Sequence, residues 1–258
     1  MKILLSNDDG VHAPGLRILY EELKKLGQVK VVAPMEEMST TGHSLTISRP
    51  LRLTQIEKDF YGVNGSPADC ISMGIQHVLK SKPDVVVSGV NHGANLGQDI
   101  YYSGTVSAAR EGCIMGIRSF AVSLDIDFSV RRPGVKLSKK KPNYRTAAKI
   151  AVKIIKDSKT LGMPKHTLMN INVPDRTLQK IKGVVPARQG FRHYDHSVVK
   201  RMDHRGKDYY WVGGHYSGFE PEQDTDCTLI HQGFATVTPL KLDVTDMAFL
   251  EEMKRVLE

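Results

Sequence analysis

Short apolar runs alternate along this chain with segments whose apolar residues recur at helical spacing, and this alternation limits the possible folds more than any other feature. The run KILLS at residues 2–6 predicts a buried strand. Pro14 opens a predicted helix that runs to Leu26, and QVKVVA at residues 28–33 predicts a second strand. A strand, a helix and a strand in this order form a β-α-β unit with parallel strands.

The same alternation continues to residue 175 and predicts a layered α/β fold with its core in residues 1–125 and 143–175. Residues 45–55 alternate apolar and polar positions around Pro50, which is typical of an edge or hairpin strand. The other predicted elements of this core are strands at 84–88, 118–124 and 167–173 and helices at 66–79, 103–116 and 144–157.

The last third of the chain has a different character. Strand-like pieces at 183–187 and 208–212 flank a charged middle, and we interpret residues 181–218 as a projecting β-hairpin arm. Residues 233–238 predict a strand that returns to a sheet, and residues 245–257 predict a terminal amphipathic helix. The expected division is therefore a layered α/β core, residues 1–180, and the hairpin arm with the C-terminal segment, residues 181–258.

The net charge of +8 comes mostly from one stretch. Residues 128–142 contain six Lys or Arg and no acid, so the rest of the chain carries 8 − 6 = +2. A solvated basic loop is the simpler interpretation. The alternative is an RNA-binding protein that uses this loop and the aromatic run Tyr209-Tyr210-Trp211 for stacking. Because these aromatics are also explained as hairpin pairs at a subunit interface, we expect no stable binding of nucleic acid.

The cysteines and the hydropathy pattern exclude two further classes of protein. Cys70, Cys113 and Cys227 are odd in number and far apart, so we expect reduced thiols and a cytoplasmic location rather than a disulfide scaffold. No apolar run approaches the ~20 residues of a membrane span, so we expect no membrane partner.

The loops that follow the predicted strands are the candidate site, because ligands bind open α/β sheets beyond the carboxyl ends of the strands. Asp8 and Asp9 follow the first strand directly. Two converging carboxylates repel each other unless a cation lies between them, and oxygen ligands favour Mg²⁺, Mn²⁺ or Ca²⁺. Ser39 and Asn95 offer neutral oxygens to the same ion. The alternative is that N-D-D-G is only a turn, since these residue types dominate turns.

A phosphate site is indicated by the sequence SGT at residues 103–105, where a helix is predicted to begin. Free N–H groups and a partial positive charge at a helix N-terminus suit a phosphate, although a plain N-cap serine explains the same residues. The stretch 89–97 is rich in Gly and Asn and permits a ligand to approach the backbone closely. The candidates for contact with phosphate or substrate are Asn91, Gly93, Ser103, Gly104, Thr105 and His43.

Common catalytic motifs are absent from the sequence. It has no Walker motif, no G-x-G-x-x-G after the first strand, no H-E-x-x-H and no G-x-S-x-G. These absences argue against dinucleotide binding, zinc proteolysis and serine hydrolysis. His12, His43 and His92 lie in the candidate loops, where each either assists proton transfer or is structural.

Long blocks of the sequence match one family in order along the chain. The longest blocks are KILLSNDDGVHAPG at 2–15 and PDVVVSGVNHGANLG at 83–97. The shorter blocks include GSPADC at 65–70, YSGTVSAAREG at 102–112, NINVP at 170–174 and GFATVTPL at 233–240. With these blocks the chain resembles the SurE (survival protein E) family of nucleotidases and acid phosphatases.

The resemblance implies a cofactor, a substrate and an assembly. The cofactor is one divalent cation per subunit, Mg²⁺ or Mn²⁺ with Ca²⁺ as a further option, held by Asp8, Asp9, Ser39 and Asn95. The substrates are nucleoside 5′-monophosphates, with 3′-monophosphates and polyphosphate as further candidates. The fold is a Rossmann-like three-layer α/β/α sandwich with a projecting β-hairpin arm and a C-terminal helix. The assembly is a dimer or tetramer built through the arm and an exchanged C-terminal segment.

Two features depart from the family pattern and bear on substrate preference. Glu36 and Glu37 lie in a loop where some members of the family carry basic residues. The basic stretch 128–142 is also longer than the family pattern. Neither departure changes the predicted metal ligands.

The residues and the resemblance together predict a metal-dependent phosphomonoesterase. We expect a metal-activated water to attack in line, with Asp8 or Asp9 as the positioning base and Asn95 and residues 103–105 holding the phosphate. An aspartyl-phosphate formed on Asp8 is the alternative mechanism. The alternative function is a nucleotide-binding regulatory module without turnover, but binding alone does not require paired carboxylates beside an anion.

Overall fold

A mixed nine-stranded β-sheet, two two-stranded sheets and six α-helices are the main elements of the part of the chain that the computed structural model describes, residues 1–126 and 141–257. The strands are β1 (Lys2–Ser6), β2 (Gln28–Pro34), β3 (Leu53–Glu57), β4 (Phe60–Val63), β5 (Val85–His92), β6 (Arg118–Asp125), β7 (Thr167–Pro174), β8 (Val184–Pro186), β9 (Arg192–Tyr194), β10 (Val198–Met202), β11 (Asp208–Val212), β12 (Tyr216–Phe219) and β13 (Ala235–Lys241). The helices are α1 (Pro14–Leu23), α2 (Pro67–Met73), α3 (Gly104–Ile114), α4 (Tyr144–Leu161), α5 (Asp226–His231) and α6 (Met247–Leu257).

The central sheet has the strand order β3-β4-β2-β1-β5-β6-β7-β13-β8. The strands from β4 to β7 in this order are parallel to their neighbours, and β13 is antiparallel to β7. β1 lies in the interior, with Leu4 opposite Lys30 on one side and Val86 on the other. Parallel strands are buried on both faces, which explains why β1 and β5 are apolar without alternation.

Helices cover both faces of the sheet. Ile3 and Leu5 on β1 pack in one cluster with residues of α1 and α4, whereas Leu4 packs with residues of α2 and α3. Successive side chains of a strand point to opposite faces, so this division follows from strand geometry. The predicted three-layer α/β/α sandwich is therefore confirmed.

Two predicted elements differ in detail from the structure. The helix predicted at 66–79 begins at the capping box of Ser66 and Asp69, but from Gly74 to Leu79 it continues as a π-helix. The strand predicted at 45–55 is wrong over residues 45–52, because β3 begins only at Leu53. Ile47 is 93% exposed and lies outside the strands, whereas Leu51 and Leu53 pack against the cluster that contains Leu4.

The arm contains the predicted β-hairpin, but one of the two strand-like pieces expected to flank its charged middle lies elsewhere. β8, which was expected to flank the hairpin, pairs in parallel with β13 in the central sheet. β11 pairs instead with β10, and β9 pairs with β12 at the base of the arm. Short strands of similar composition do not reveal their partners, because pairing depends on how the intervening chain turns.

Several predictions concern residues that remain exposed or undescribed. β10, β11 and α6 have no buried residue within the described chain. The basic stretch 128–142 lies, through residue 140, outside the described residues.

Cys70, Cys113 and Cys227 are free and buried. None of the helices in the described ranges is both long enough and apolar enough to cross a membrane.

Candidate active site

The polar loops at the carboxyl ends of the parallel strands converge on the N-terminus of α3. β1 ends at Ser6, and Asp8 follows within two residues. The adjacent strand β5 ends at His92, so the loop that contains Asn95 begins beside the acidic pair. This convergence places the candidate site at the edge predicted from strand order.

Asp8 is packed directly against the start of α3. Its side chain is almost fully buried, and Oδ1 accepts a hydrogen bond from the hydroxyl of Thr105. A β-carbon on Gly104 would lie only 2.7 Å from Cβ of Asp8. Burial raises the pKa of Asp8 above its usual range, and the hydrogen bonds from Thr105 and Gly104 lower it by less. The carboxyl group therefore has a fixed position, but burial disfavours its charged form.

Asp9 shares this unfavourable environment. Its Oδ2 accepts a hydrogen bond of 3.1 Å from the backbone N–H of His92. Burial, then the charge of Asp8 and that of Glu37, raise the pKa of Asp9 to about 7. Within residues 1–126 and 141–257, no Lys or Arg forms an ion pair with either carboxylate. A divalent cation is the charge that would relieve this repulsion, so the donor set fits one.

Asn95 is held by three other polar side chains. Its amide nitrogen donates to Oγ of Ser123 at 2.8 Å, and its backbone N–H donates to Oδ1 of Asn172 at 2.8 Å. Its backbone oxygen accepts from the amides of Asn170, at 2.8 Å, and Asn172, at 3.0 Å. The amide oxygen of Asn95 accepts no hydrogen bond from the described residues and is the atom left for a ligand.

Ser39 lies near the acidic pair without bonding to it. The loop is tied to Asp8 because the N–H of Met38 donates to the carbonyl of Asp8 at 2.8 Å. The side chain of Ser39 is exposed, and its hydroxyl donates to Glu37 at 2.7 Å. The structure thus brings Asp8 and Asp9 together, and it does not show Ser39 bonded to either carboxylate.

The remaining predicted contact residues lie at three places in the structure. Ser103 is the N-cap of α3, where its hydroxyl accepts from the N–H of Val106, and Gly104 and Thr105 contact Asp8. The amide of Asn91 donates to the carbonyl of Gly93, which stabilises the loop after β5. His43 bonds Glu111 on α3 at 2.9 Å, so within the described structure its ring is engaged away from the acidic pair.

The acidic pair does not form a conventional metal cluster of charged ligands. The described ranges contain no group of three or more His, Cys, Asp and Glu side chains placed to hold a metal ion. The candidate donors here are two carboxylates completed by neutral oxygens, which is a combination that hard cations accept.

Sequence reasoning missed the residues that hold Asn95. Ser123, Asn170 and Asn172 are fully buried on β6 and β7. The pattern N-I-N within an otherwise apolar strand was the available signal, because buried amides need partners and often orient a functional group.

Comparisons with known proteins place this arrangement in a wider group. A family model described as survival protein SurE matches residues 3–196. A 5′-nucleotidase SurE from Geobacter metallireducens is 44% identical over 98% of this chain and 96% of its own length. A 5′-nucleotidase SurE from Aquifex aeolicus is 42% identical over 97% of this chain and 96% of its own length. The crystal structure of a SurE protein from Aquifex aeolicus covers 100% of both chains, with a TM-score of 0.83 and 40% identity.

Proposed function

This chain belongs to the SurE family, and on that premise we propose that it hydrolyses nucleoside 5′-monophosphates to a nucleoside and inorganic phosphate with one divalent cation per subunit. Curated relatives over nearly the full length carry the name 5′-nucleotidase, so phosphomonoesterase activity extends to this chain. The observation that carries the site assignment is the packing of Asp8 against Gly104 and Thr105, which joins an acidic pair to a helix N-terminus.

Four residues of the proposed site share the binding of a cation, and the acidic pair has a second role. Asp8, Asp9, Asn95 and Ser39 would hold the cation, Mg²⁺ or Mn²⁺. When bound, the cation would neutralise charge on the phosphoryl group and lower the pKa of a water molecule beside it. Asp8 or Asp9 also orients the attacking water through its carboxylate oxygens.

The phosphate is held by the start of α3 and by the loop after β5. The partial positive charge at the start of α3 favours a phosphoryl oxygen beside Asp8, whose carboxyl group already accepts hydrogen bonds from Gly104 and Thr105. Asn95 supports the same group, because Ser123 fixes the orientation of its amide. The end of β5 at Asn91 and the loop from Gly93 onward let the substrate approach the backbone closely.

The first experiment measures phosphate release from a panel of nucleoside 5′- and 3′-monophosphates and polyphosphate, with Mg²⁺, Mn²⁺ or EDTA. Wild type is compared with Asp9→Ala and Asp8→Asn. A matched control is Asp84→Asn, an exposed acid at the opposite end of β5 whose carboxylate bonds the backbone of Lys2. We expect release that disappears in EDTA and in both site variants, and persists in the control. Activity of Asp9→Ala equal to that of the control would overturn the assignment of the site.

The same panel separates the enzyme from the alternative class. A regulatory module would bind the nucleotides under every metal condition and release no phosphate. The relatives carry the name of an enzyme, and no comparison supports the regulatory alternative. Calorimetric binding of a nucleotide without turnover would nevertheless revive it.

We propose further that the chain forms a cytoplasmic dimer or tetramer through the arm and the C-terminal segment. Trp211 on β11 is 64% exposed and Phe249 on α6 is 58% exposed, and both lie among other exposed apolar side chains. Such surfaces are costly unless a partner covers them. Light scattering should show smaller assemblies for Trp211→Lys and Phe249→Lys than for a matched control, Leu161→Lys, at the exposed end of α4. A monomeric wild type would exclude the assembly.

A further inference from the structure

The turn at Gly97–Tyr101 supports the first residues of the helix that holds the phosphate. The backbone carbonyl of Asp99 accepts hydrogen bonds from the N–H of Tyr102 at 3.0 Å and from the N–H of Ser103 at 3.1 Å. Ser103 is the N-cap of α3. The position of Asp99 therefore sets the position of the helix N-terminus.

The carboxylate of the same Asp99 faces the base of the arm. Oδ2 accepts from Nη1 of Arg192 at 2.5 Å and from the hydroxyl of Tyr194 at 2.7 Å. The side chains of Arg192 and Asp99 are only 17% and 20% exposed, so water screens this ion pair little. Partly buried, charge-assisted hydrogen bonds of this kind are stronger than exposed ones.

The guanidinium of Arg192 connects both strands at the base of the arm to this turn. It lies 4.2 Å from the ring centroid of Tyr216 on β12, and Tyr194 belongs to β9. From this base the chain continues outward into the exposed hairpin of β10 and β11. A displacement of the arm therefore acts on the Asp99 carboxylate through two side chains, the charged Arg192 and the hydroxyl of Tyr194.

The backbone has its own attachments, which do not need the guanidinium. The side chain of Gln98 exchanges two hydrogen bonds with the backbone of Arg192, at 2.5 and 2.8 Å. Asp226 accepts from the N–H of Gly97 at 3.1 Å and from that of Gly190 at 2.9 Å. These bonds remain when residue 192 loses its charge, so such a variant is expected to fold.

From this arrangement we propose that Arg192 is a positioning residue for phosphate binding, which couples the orientation of the arm to the N-terminus of α3. The inference rests on the proposed function, because it takes α3 as the phosphate site. Arg192 does not touch the substrate. It acts through Asp99 and Ser103, so its loss changes affinity for phosphate on every substrate alike.

The test uses inorganic phosphate as the probe, at saturating Mg²⁺ and with the full chain. Calorimetry measures its dissociation constant, and kinetics measure its competitive inhibition constant together with KM and kcat for a nucleoside monophosphate. The variants are Arg192→Met, which keeps the length but loses the charge, and Arg192→Lys, which keeps the charge. Arg201→Met, an exposed arginine on β10 of the same arm, is the matched control.

We expect the phosphate constants and KM of Arg192→Met to rise about five- to twentyfold, with kcat within about threefold of wild type. Arg192→Lys should recover part of this loss, and Arg201→Met should equal wild type. Asp99→Asn should have at least the effect of Arg192→Met, because it also weakens the bond from Tyr194, and the double variant should be no worse than Asp99→Asn alone, because the ion pair is already lost there.

Unchanged phosphate constants in Arg192→Met, with or without a lower melting temperature, would overturn the proposal and leave Arg192 a purely structural role. Equal effects in Arg201→Met would also overturn it. Failure of the proposed function is distinguishable, because wild type would then release no phosphate from any nucleotide.

Discussion

Replacing Gly104 by alanine tests whether the start of α3 must lack a side chain for the acidic pair to keep its position. A β-carbon at this residue would lie 2.7 Å from Cβ of Asp8, 2.9 Å from its Oδ2 and 3.0 Å from Cγ of Pro67. Carbon atoms attract each other best at about 3.5–4.0 Å, so Asp8 or the helix start has to move by roughly 0.8 Å. Asp8 and Pro67 are both buried, so neither can relieve the crowding by moving into solvent.

The displacement should reduce catalysis more than stability. Overpacking of this kind costs roughly 1–3 kcal/mol of unfolding free energy. A misplacement near 1 Å at reacting groups lowers rates by up to about 100-fold. We therefore expect kcat/KM of Gly104→Ala to fall by about 30- to 100-fold, which corresponds to roughly 2–3 kcal/mol of transition-state stabilisation.

Gly112→Ala on the same helix is the matched control. Its β-carbon would lie 2.7 Å from Oγ of Ser119 and 2.8 Å from Cβ of Val86, so the crowding is similar. These neighbours are not part of the candidate site. The control should lose about as much melting temperature as Gly104→Ala while keeping kcat/KM within about threefold of wild type.

The assay is kcat/KM for a nucleoside monophosphate at saturating Mg²⁺, with the melting temperature measured on the same preparations. Gly104→Ala with kcat/KM within about threefold of wild type would refute the argument that Asp8 is fixed by close packing. So would an equal loss of kcat/KM in Gly112→Ala, because general distortion of α3 would then explain both results.

Three further predictions follow from contacts at the site. Thr105→Val removes the hydroxyl that donates to Asp8, and calorimetry should show metal affinity about tenfold weaker. Unchanged affinity would contradict the assignment of Asp8 as a metal ligand oriented by Thr105. Ser123→Ala removes the acceptor of the Asn95 amide and should weaken metal binding about tenfold, whereas Ser119→Ala on the same strand should not. In EDTA the folded pKa of Asp9, about 7, exceeds the ordinary aspartate pKa of 3.8, so the folded state binds the proton more tightly and the free energy of unfolding falls as pH rises from about 4 to about 7. Melting temperatures in EDTA should therefore fall more steeply with pH in wild type than in Asp9→Asn, and the opposite order would be inconsistent with the raised pKa.

The central sheet could be predicted from the sequence because buried parallel strands have a recognisable apolar composition. β1, β5 and β6 are short apolar runs separated by helices, and burial on both faces leaves little freedom in their composition. The acidic pair was predictable for a related reason. An acidic pair directly after a buried parallel strand lies at the carboxyl-terminal edge of the sheet. The loops that follow the neighbouring strands begin at the same edge.

The arm was not predictable at the same level. β8 has only three residues, and nothing in V-V-P distinguishes a partner in the central sheet from a partner in the hairpin. Pairing at such short length is decided by tertiary contacts rather than by local preference. The support of Asn95 from β7 was missed for the same reason, because the two segments are distant in sequence and meet only in the folded sheet.

The late position of β13 in the chain has a consequence for how the protein is made. β13 covers six residues of β7, from Thr167 to Asn172, but 234 − 174 = 60 residues separate the two strands. At about 5–20 residues per second, a ribosome needs roughly 3–12 s to add those residues. During that interval β7, with Leu168 and Ile171 along it, presents an open strand edge. Nascent chains of this protein should therefore be most prone to aggregation, and most in need of a chaperone, in the seconds before the last strand emerges.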